Sequence, residues 1–239
     1  GGSGATISPM LNPAAIALNE QRSLSITYYN RYSIKELNTI SSDFSFYNNA
    51  LPFAVNLSSF GFDDYRESQF RLAGGKQVAE RWFFGIAISY FLQQGKLLLE
   101  DKSLLSVDIG LVFRPVETIR LGAGLLNAPT IRLSGKEEMS KKKSSHLACV
   151  GFSWDVLKEV TLNGQLEQSE NRPLCFSIGV SYAPYERVAF YLGLRTDPIL
   201  PSAGVSFYLK AFQADLSLSY HQQLGVSTGV GLVYRFGRI

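Results

Sequence analysis

The polar residues that could carry out chemistry in this chain are few and lie apart from one another. Six are singled out because they fall on the less apolar face of predicted strands: Asp108, Asn163, Gln165, Glu167, Asp215 and His221. Acid–base or nucleophilic catalysis needs at least two such groups held together. The sequence contains neither a His-Glu-x-x-His zinc motif nor a phosphate-binding loop. A single His near a strand end is more often an ordinary residue than a base, so we predict that the protein is not an enzyme.

The sulfur and imidazole groups give no metal-binding pattern. The chain has two cysteines, Cys149 and Cys175, and two histidines, His146 and His221, without the spacing of a zinc site. We therefore predict no metal and no cofactor. The cysteines fall on the eighth and tenth predicted strands, about 9 to 10 Å apart, whereas a disulfide tolerates about 7 Å between Cα atoms. Both thiols are predicted to be unpaired.

Composition favours an all-β protein. The 239 residues include 12 Tyr, 16 Phe and 21 Gly, and only 18% are charged, which is typical of strands rather than of a helical cytosolic protein. The formal net charge of +3 is small and its Lys and Arg are dispersed. The sequence therefore predicts no nucleic-acid partner.

From Ser23 onward, segments of about ten residues alternate apolar side chains with small or polar ones, which is the period of a strand with two different faces. One such segment has Leu105, Val107 and Ile109 on one face and Ser106 and Asp108 on the other. About fourteen strands follow from this pattern, at 23–30, 38–47, 52–61, 68–76, 81–92, 103–114, 118–127, 145–154, 159–167, 173–183, 186–196, 202–210, 212–221 and 225–236.

The connections between these strands alternate between tight turns and longer, more polar loops. Residues 210–211 form one of the tight turns, and the loops include 62–67 and 128–144. Short turns at one end and longer loops at the other are typical of a transmembrane antiparallel β-barrel. The chain has no run of eighteen apolar residues that would predict a transmembrane helix.

The alternative to a membrane barrel is a soluble β-rich binding protein. The composition of the less apolar strand face distinguishes the two. A soluble sheet covers its outside with charged residues, whereas here that face carries mainly Gly, Ser and Ala. Several of its glycines are expected to permit curvature and close packing in the lumen: Gly122, Gly124, Gly151, Gly179, Gly193, Gly229 and Gly231. Aromatic residues near strand ends fit an interfacial belt: Tyr28, Tyr29, Tyr32, Trp82, Tyr90, Trp154, Tyr182, Tyr208, Tyr220 and Tyr234.

The N-terminal segment does not alternate. Asn12 can cap a helical turn that has Pro13 in its first position, and Ala14 to Leu18 give that turn an apolar face. We expect residues 1–21 to form a plug segment at the mouth or in the lumen of a barrel formed by residues 22–239. A chain that begins Gly1-Gly2-Ser3-Gly4 without Met is expected to have lost a signal peptide, or to begin with linker residues.

The stretch "GGSGATISPMLNPAAIAL" resembles the N-terminal signature of the FadL-like outer-membrane proteins, particularly the PorV and PorQ branch associated with type IX secretion. "FRPVETIRLGAGLLN", residues 113–127, is similar to a strand–turn–strand unit of that branch. The resemblance implies a fourteen-stranded barrel in the bacterial outer membrane, closed by its N-terminus, with Asn12, Pro13 and Ala14 as the plug motif. The fatty-acid transporters of this family have a longer N-terminal hatch and longer loops than this chain.

Two functions remain open at this point. The first is a structural or adaptor subunit of a larger outer-membrane complex for secretion, membrane-protein assembly or nutrient uptake. The second is a passive, FadL-like transporter of a small hydrophobic molecule. Expected partners are outer-membrane lipid, lipopolysaccharide, and other outer-membrane proteins or lipoproteins. The one marked charge run, with Lys136, Lys141, Lys142 and Lys143, is predicted to be a solvated extracellular loop or a docking site for an acidic partner or lipopolysaccharide phosphate.

Overall fold

The computed structural model describes residues 8, 11–19, 21–48, 50–96, 100–134, 146–170 and 172–236. Within them, 3₁₀ helices run over Pro13–Leu18 and Lys35–Leu37. The described strands are β1 (Ser23–Asn30), β2 (Asn38–Phe46), β3 (Phe53–Phe62), β4 (Tyr65–Ala79), β5 (Trp82–Gln94), β6 (Lys102–Val116), β7 (Ile119–Leu126), β8 (Thr130–Ser134), β9 (Leu147–Asp155), β10 (Val160–Ser169), β11 (Arg172–Tyr185), β12 (Val188–Arg195), β13 (Leu200–Leu209), β14 (Phe212–His221) and β15 (Gly225–Arg235).

The strands form one closed antiparallel barrel. Each strand pairs with its neighbour in the chain, except that β7 pairs with β9, and the pairing of β1 with β15 closes the circle. Fourteen of the described strands form the wall, so the predicted fold class is confirmed. Closure leaves no sheet edge, which is what a β-structure in lipid requires.

The fifteenth strand, β8, corrects the prediction that residues 128–144 form a single loop. β6 extends towards the loops well beyond β7, whose pairing with β6 stops at Ile109. β8 pairs with the remainder of β6, from Ser103 to Ser106. The short strand therefore supplies hydrogen-bond partners that β7 is too short to provide.

The barrel has two unlike ends. β1 begins and β15 ends at one end, called here the terminal end, together with tight turns such as Glu80–Arg81 and Lys210–Ala211. The opposite end is called the loop end. The predicted loop over 62–67 is wrong: β3 and β4 are joined by the two-residue turn Asp63–Asp64, and their pairing continues to Phe62 opposite Tyr65.

The two faces of the wall differ as the alternation predicts. Large apolar side chains on the outside are exposed, among them Ile26, Leu192 and Leu232. Small or polar residues between them face the lumen, where Ser89, Ser106 and many others are buried. Among the described residues, no helix is long and apolar enough to cross a membrane.

Aromatic side chains are concentrated on the outer surface near the strand ends. At the terminal end, Trp82 stacks on Phe113 with ring centroids 4.4 Å apart, and Phe212 packs on Tyr234 at 4.9 Å. Most of the predicted belt residues are exposed on this outer face: Tyr28, Trp82, Tyr90, Trp154, Tyr182, Tyr220 and Tyr234.

Two of the residues assigned to the aromatic belt do not belong to it. Tyr29 points into the lumen, where its hydroxyl lies 3.3 Å from the Ser219 hydroxyl. Tyr208 also points inward and its hydroxyl lies 3.1 Å from that of Tyr191. Residues near a strand end can lie on either face of the sheet. The alternation of side chains between the outer face and the lumen therefore decides which aromatic residues reach the membrane interface.

The apolar outer face predicts how the purified protein behaves. We expect it to require detergent, and to migrate as a compact species on gels unless it is heated, because a closed strand ladder resists unfolding in detergent. Electrophoresis of heated and unheated samples measures this. Full solubility without detergent, with a monomeric elution profile, would contradict the membrane-spanning assignment.

Candidate functional site

The N-terminal segment lies inside the barrel, against one side of the wall. The 3₁₀ helix Pro13–Leu18 contacts β4, β5 and β6, and Asn12, Pro13 and Ala14 are fully buried. The helix is the capped turn that the sequence predicts, formed as 3₁₀ rather than α. Residues 11–19 are called the plug here.

Asn12 both caps the helix and attaches it to the wall. Its Oδ1 accepts a hydrogen bond from the Ala14 backbone N–H at 3.0 Å. Its Nδ2 donates to the carbonyl oxygens of Leu111, at 3.1 Å, and Ala123, at 3.3 Å, on β6 and β7. The cap was predictable from the Asn-Pro sequence, whereas the attachment to two strands a hundred residues away was not.

Four glycines form the wall beneath the plug. Gly75, Gly85, Gly110 and Gly124 lie directly opposite one another on β4, β5, β6 and β7, and this set is called the glycine row here. A Cβ on Gly85 would lie 2.3 Å from the Ala14 nitrogen, and one on Gly110 would lie 2.0 Å from the Asn12 Oδ1. The plug can therefore approach this wall only because no side chains stand there.

Apolar contacts hold the plug on either side of the glycine row. Ala14 packs with the buried side chains of Phe83 and Val112. Ile16 packs with Ala73 and Ala87. These contacts bury the apolar face of the helix, so the plug is an integral part of the packed interior.

A polar layer covers the plug on the side of the loop end. Arg71 on β4 and Asp108 on β6 form an ion pair of 3.0 Å, with side chains only 6% and 5% exposed. The other Asp108 oxygen, Oδ1, accepts a hydrogen bond of 2.8 Å from the Asn127 backbone N–H. Asp108 thus joins β4, β6 and the turn after β7, which is a structural rather than a catalytic position.

The same layer continues along β1, β2 and β3. Asp43 accepts hydrogen bonds from Ser25, at 3.2 Å, and from Asn56, at 2.7 Å. Ser25, Asp43, Asn56 and Arg71 follow one another in strand register. Register between distant strands creates this layer, so the sequence alone gave no sign of it.

The remaining predicted polar residues lie in separate networks. Glu167 accepts from the Arg195 guanidinium at 2.8 Å and from Gln165. Asp215 accepts from Gln213 at 2.6 Å and also from Ser206. Each carboxylate is therefore bound by its own neighbouring donors, and the structure does not bring the predicted residues together into one catalytic group.

The non-enzyme prediction assumed that the sequence has no Gly-x-Ser-x-Gly motif, and this is wrong: Gly225–Gly229 has that spacing, which is typical of a hydrolase nucleophile turn. The structure places it inside strand β15 rather than at a strand-to-helix turn. The Ser227 hydroxyl accepts a hydrogen bond from the Tyr32 backbone N–H at 3.0 Å. His221 Nδ1 accepts from the backbone N–H groups of Gln223 and Leu224, so its position at the β14–β15 turn is structural.

The two cysteines lie in the lumen on either side of Glu167. Cys149 on β9 and Cys175 on β11 are both directly opposite this residue on β10, so one strand separates them, as predicted. Both are buried and free. In the part of the chain that the structure describes, no group of three or more His, Cys, Asp or Glu residues could hold a metal ion.

The half of the lumen away from the plug contains a cavity of about 300 Å³, called the side cavity here. Its walls are β10 to β15 with one residue of β1, and they include Gly179, Gly193, Ser202 and Asp215. The predicted docking residues Lys136, Lys141, Lys142 and Lys143 lie outside the described residues.

Comparisons by sequence find no matching protein-family model and no matching curated protein. Comparisons by structure find outer-membrane barrels. The Pseudomonas putida toluene transporter TodX aligns with a TM-score of 0.65 at 10% identity, over 97% of this chain and 92% of that one. A FadL homologue of Pseudomonas aeruginosa aligns with a TM-score of 0.55 at 12% identity, over 94% and 91%. The KdgM porin gives 0.53 at 9%, over 90% and 99%.

Identities this low show a shared fold and nothing finer. The chain has the fold of FadL-type and porin-like outer-membrane β-barrels. That fold and the apolar outer face are those of a transmembrane β-barrel, and the described residues include no assembled catalytic group.

Two substitutions at Asn12 separate its cap from its attachment to the wall. Asn12→Ala removes both the cap, typically worth about 0.5–2 kcal/mol, and the two wall hydrogen bonds, so hydrogen exchange of the plug amides should accelerate by at least the 2- to 30-fold, roughly, that the cap alone gives. Asn12→Asp keeps the acceptor for Ala14 but points a carboxylate at two carbonyl oxygens, and we expect exchange at least as fast as in Asn12→Ala. Hydrogen–deuterium exchange by mass spectrometry measures both. Wild-type protection in Asn12→Asp would show that the attachment contributes nothing.

The buried ion pair predicts a second pattern. Arg71→Met leaves the Asp108 carboxylate buried without its cation, and we expect a loss of about 3–5 kcal/mol in unfolding free energy. Arg71→Met with Asp108→Asn should regain much of that loss, because the amide stays neutral and still accepts from Asn127. Denaturant unfolding in detergent micelles compares the three proteins. Equal stability of the single variant and wild type would show that the pair is not buried as described.

Proposed function

We propose that this protein is a non-enzymatic adaptor or structural subunit of a larger outer-membrane complex. The observation that carries the proposal is the fit between the plug and the glycine row. A segment fixed by two wall hydrogen bonds, and in contact with glycines that leave no room for displacement, behaves as part of the wall. With the plug fixed in this way, the barrel presents its outer surface and its connections to other molecules.

The short connections support the same function. The loop end has the two-residue turn Asp63–Asp64, and only two residues separate β10 from β11. Around these described connections the loop end has no deep vestibule in which a ligand would be captured before entering the lumen. The outer wall, in contrast, is apolar around its circumference and is available for packing against lipid or another membrane protein.

The N-terminal resemblance to the PorV and PorQ branch supports a complex for protein secretion as the setting, with assembly or nutrient-uptake complexes as alternatives. Its partners would then be outer-membrane proteins or lipoproteins, surrounded by lipid and lipopolysaccharide. Lys136 and the lysines at 141–143 would serve as a contact for acidic groups at the cell surface.

A second candidate is a passive transporter of a small hydrophobic molecule. Two observations favour it: the structural likeness to TodX, a toluene transporter by its title, and the side cavity beside the plug. In this case the plug would act as a gate. The attachment of the plug weighs against the second candidate, because a gate that opens would have to break the two wall hydrogen bonds of Asn12 and leave the glycine row.

Flux of a hydrophobic probe separates the two functions. We expect proteoliposomes with wild-type protein to take up a fluorescent fatty acid no faster than protein-free liposomes, and Asn12→Ala to change nothing. A second experiment tests assembly. In native membranes, wild-type protein and Asn12→Ala should both migrate on native gels in a complex larger than the barrel.

Substitutions of lipid-facing or terminal-end turn residues should release the barrel from that complex. Gly179→Ala, which has room for its Cβ inside the lumen, is the matched control. Uptake that depends on Asn12 would favour the transporter and overturn the adaptor.

A further inference from the structure

One sector of the otherwise apolar outer wall carries hydroxyl groups. Ser42 on β2, Ser59 on β3 and Ser68 on β4 alternate with inward-facing residues and share the outer face with exposed Leu57 and Phe70. Ser59 lies directly opposite Ser68, and Ser42 lies opposite Leu57, two residues from Ser59. The hydrogen bonds among the described residues do not involve any of these three hydroxyls. They are therefore available to a ligand on the outer surface.

The three serines line a groove, called the serine groove here. It has a volume of about 400 Å³, within the range of about 300–1,000 Å³ that is typical of small-molecule sites. Ile40, Leu57 and Phe70 also line it, and their larger side chains are exposed. Small hydroxyl-bearing residues between large apolar ones thus produce a depression in the outer wall.

The serine groove lies near the loop end of the barrel. Ser59 and Ser68 are each three residues from the ends of β3 and β4 that the Asp63–Asp64 turn joins. Tyr28 and Tyr90, two exposed residues of the aromatic belt, lie opposite groove residues on neighbouring strands. Aromatic belts lie at the level of the lipid headgroups. The hydroxyls are therefore placed where the polar and apolar parts of a lipid meet.

A cation lies on the loop side of the serines. Arg66 is on the same strand face as Ser68, two residues or about 7 Å further towards the loop end. It lies 3.8 Å from Asp63, and the two side chains are 55% and 99% exposed, so this pair contributes little and leaves the guanidinium accessible. From the loop end towards the membrane, the groove offers first a cation, then hydroxyls, then apolar side chains.

We propose that the serine groove binds the acylated headgroup of a glycolipid that carries phosphate groups and hydroxylated acyl chains, which is the lipid A portion of lipopolysaccharide. Arg66 binds a phosphate through paired N–H···O hydrogen bonds. The serines bond to the carbonyl and hydroxyl groups at the head of the acyl chains, and the apolar residues pack on the chains. This site rests on the outer-membrane location of the proposed function, with the loop end facing the cell exterior, but it requires no protein partner.

The size of the hydroxyl patch favours a lipid over a membrane protein. The three serines are on three neighbouring strands, which span about 10 Å, whereas a stable protein interface buries about 800 Å² on each partner. A single lipid headgroup with its chains fits the smaller dimension.

Native mass spectrometry of the whole chain in detergent tests the site, with bis-phosphorylated lipid A and phosphatidylethanolamine as probes. Wild-type protein should retain one lipid A at a several-fold lower concentration than it needs to retain phosphatidylethanolamine. Ser59→Leu with Ser68→Leu fills the groove and should weaken lipid A binding several-fold. Arg66→Gln should remove most of the preference for bis-phosphorylated over dephosphorylated lipid A.

Thr228→Val is the matched control. Thr228 is on the outer face of β15, between the exposed Val226 and Val230, and outside the groove. Its hydroxyl can be removed without changing the site, so this variant should bind lipid A like wild type. Unheated gel mobility shows whether each variant is folded. If the double leucine variant does not fold, Ser59→Ala with Ser68→Ala removes the hydroxyls alone and should also weaken binding.

Three results would overturn the lipid site. The first is wild-type binding without preference for lipid A over phosphatidylethanolamine. The second is lipid A binding that the folded serine variants retain. The third is release of the folded serine variants from a membrane complex while their purified barrels still retain lipid A, which would assign the groove to a protein partner. A wild-type barrel that binds lipid A but migrates alone on native gels would contradict the adaptor and leave the lipid site standing.

Discussion

Closure of the strand ladder is the constraint on which the rest of this structure depends. An apolar outer face excludes water, so every backbone N–H and C=O at membrane depth must find its partner within the wall. The β1–β15 pairing meets this requirement where the chain ends meet, and β8 meets it where β7 stops short of the loop end of β6. Once the ladder is closed, the register of each pair is fixed, and with it the arrangement of side chains around the lumen.

The interior follows from that register as a set of layers. Gly75, Gly85, Gly110 and Gly124 align to admit the plug. A step along the strands, Ala73 and Ala87 pack on Ile16 in register with Asp108, whose partner Arg71 lies one step further on. On the opposite side the register aligns small hydrophilic residues around an open space. One half of the lumen is therefore packed like a protein core, and the other half contains an open cavity.

The sequence predicted the features that depend on local pattern. Alternation gave the fourteen wall strands, and Asn12 followed by Pro13 gave the capped turn, because two-residue periodicity and a helix cap are short-range properties. It could not give features that depend on pairing between distant strands. The four glycines of the row are spread over fifty residues, and only the register places them together. The inward direction of Tyr29 and Tyr208 was missed because a place near a strand end says nothing about the face on which a residue lies.

The local sequence pattern also failed to predict the short strand β8 within the predicted loop 128–144. Thr130 to Ser134 is too short to show convincing alternation, and its existence depends on the unpaired length of β6. Likewise, the turn at Asp63–Asp64 is set by the full extent of the β3–β4 pairing. Such boundaries are decided by the partner strand more than by the segment itself.

The position of the plug has a mechanical consequence. The plug is attached to β4, β5 and β6, yet only residues 19–22 separate the end of its helix from β1, four strands away from β5 around the wall. The segment is thus joined covalently to β1 and by the Asn12 side chain to β6 and β7. A thin cylinder in a fluid bilayer flattens most readily when nothing spans its interior. We expect a segment joined at both places to resist such flattening and so to act as an internal brace of the barrel.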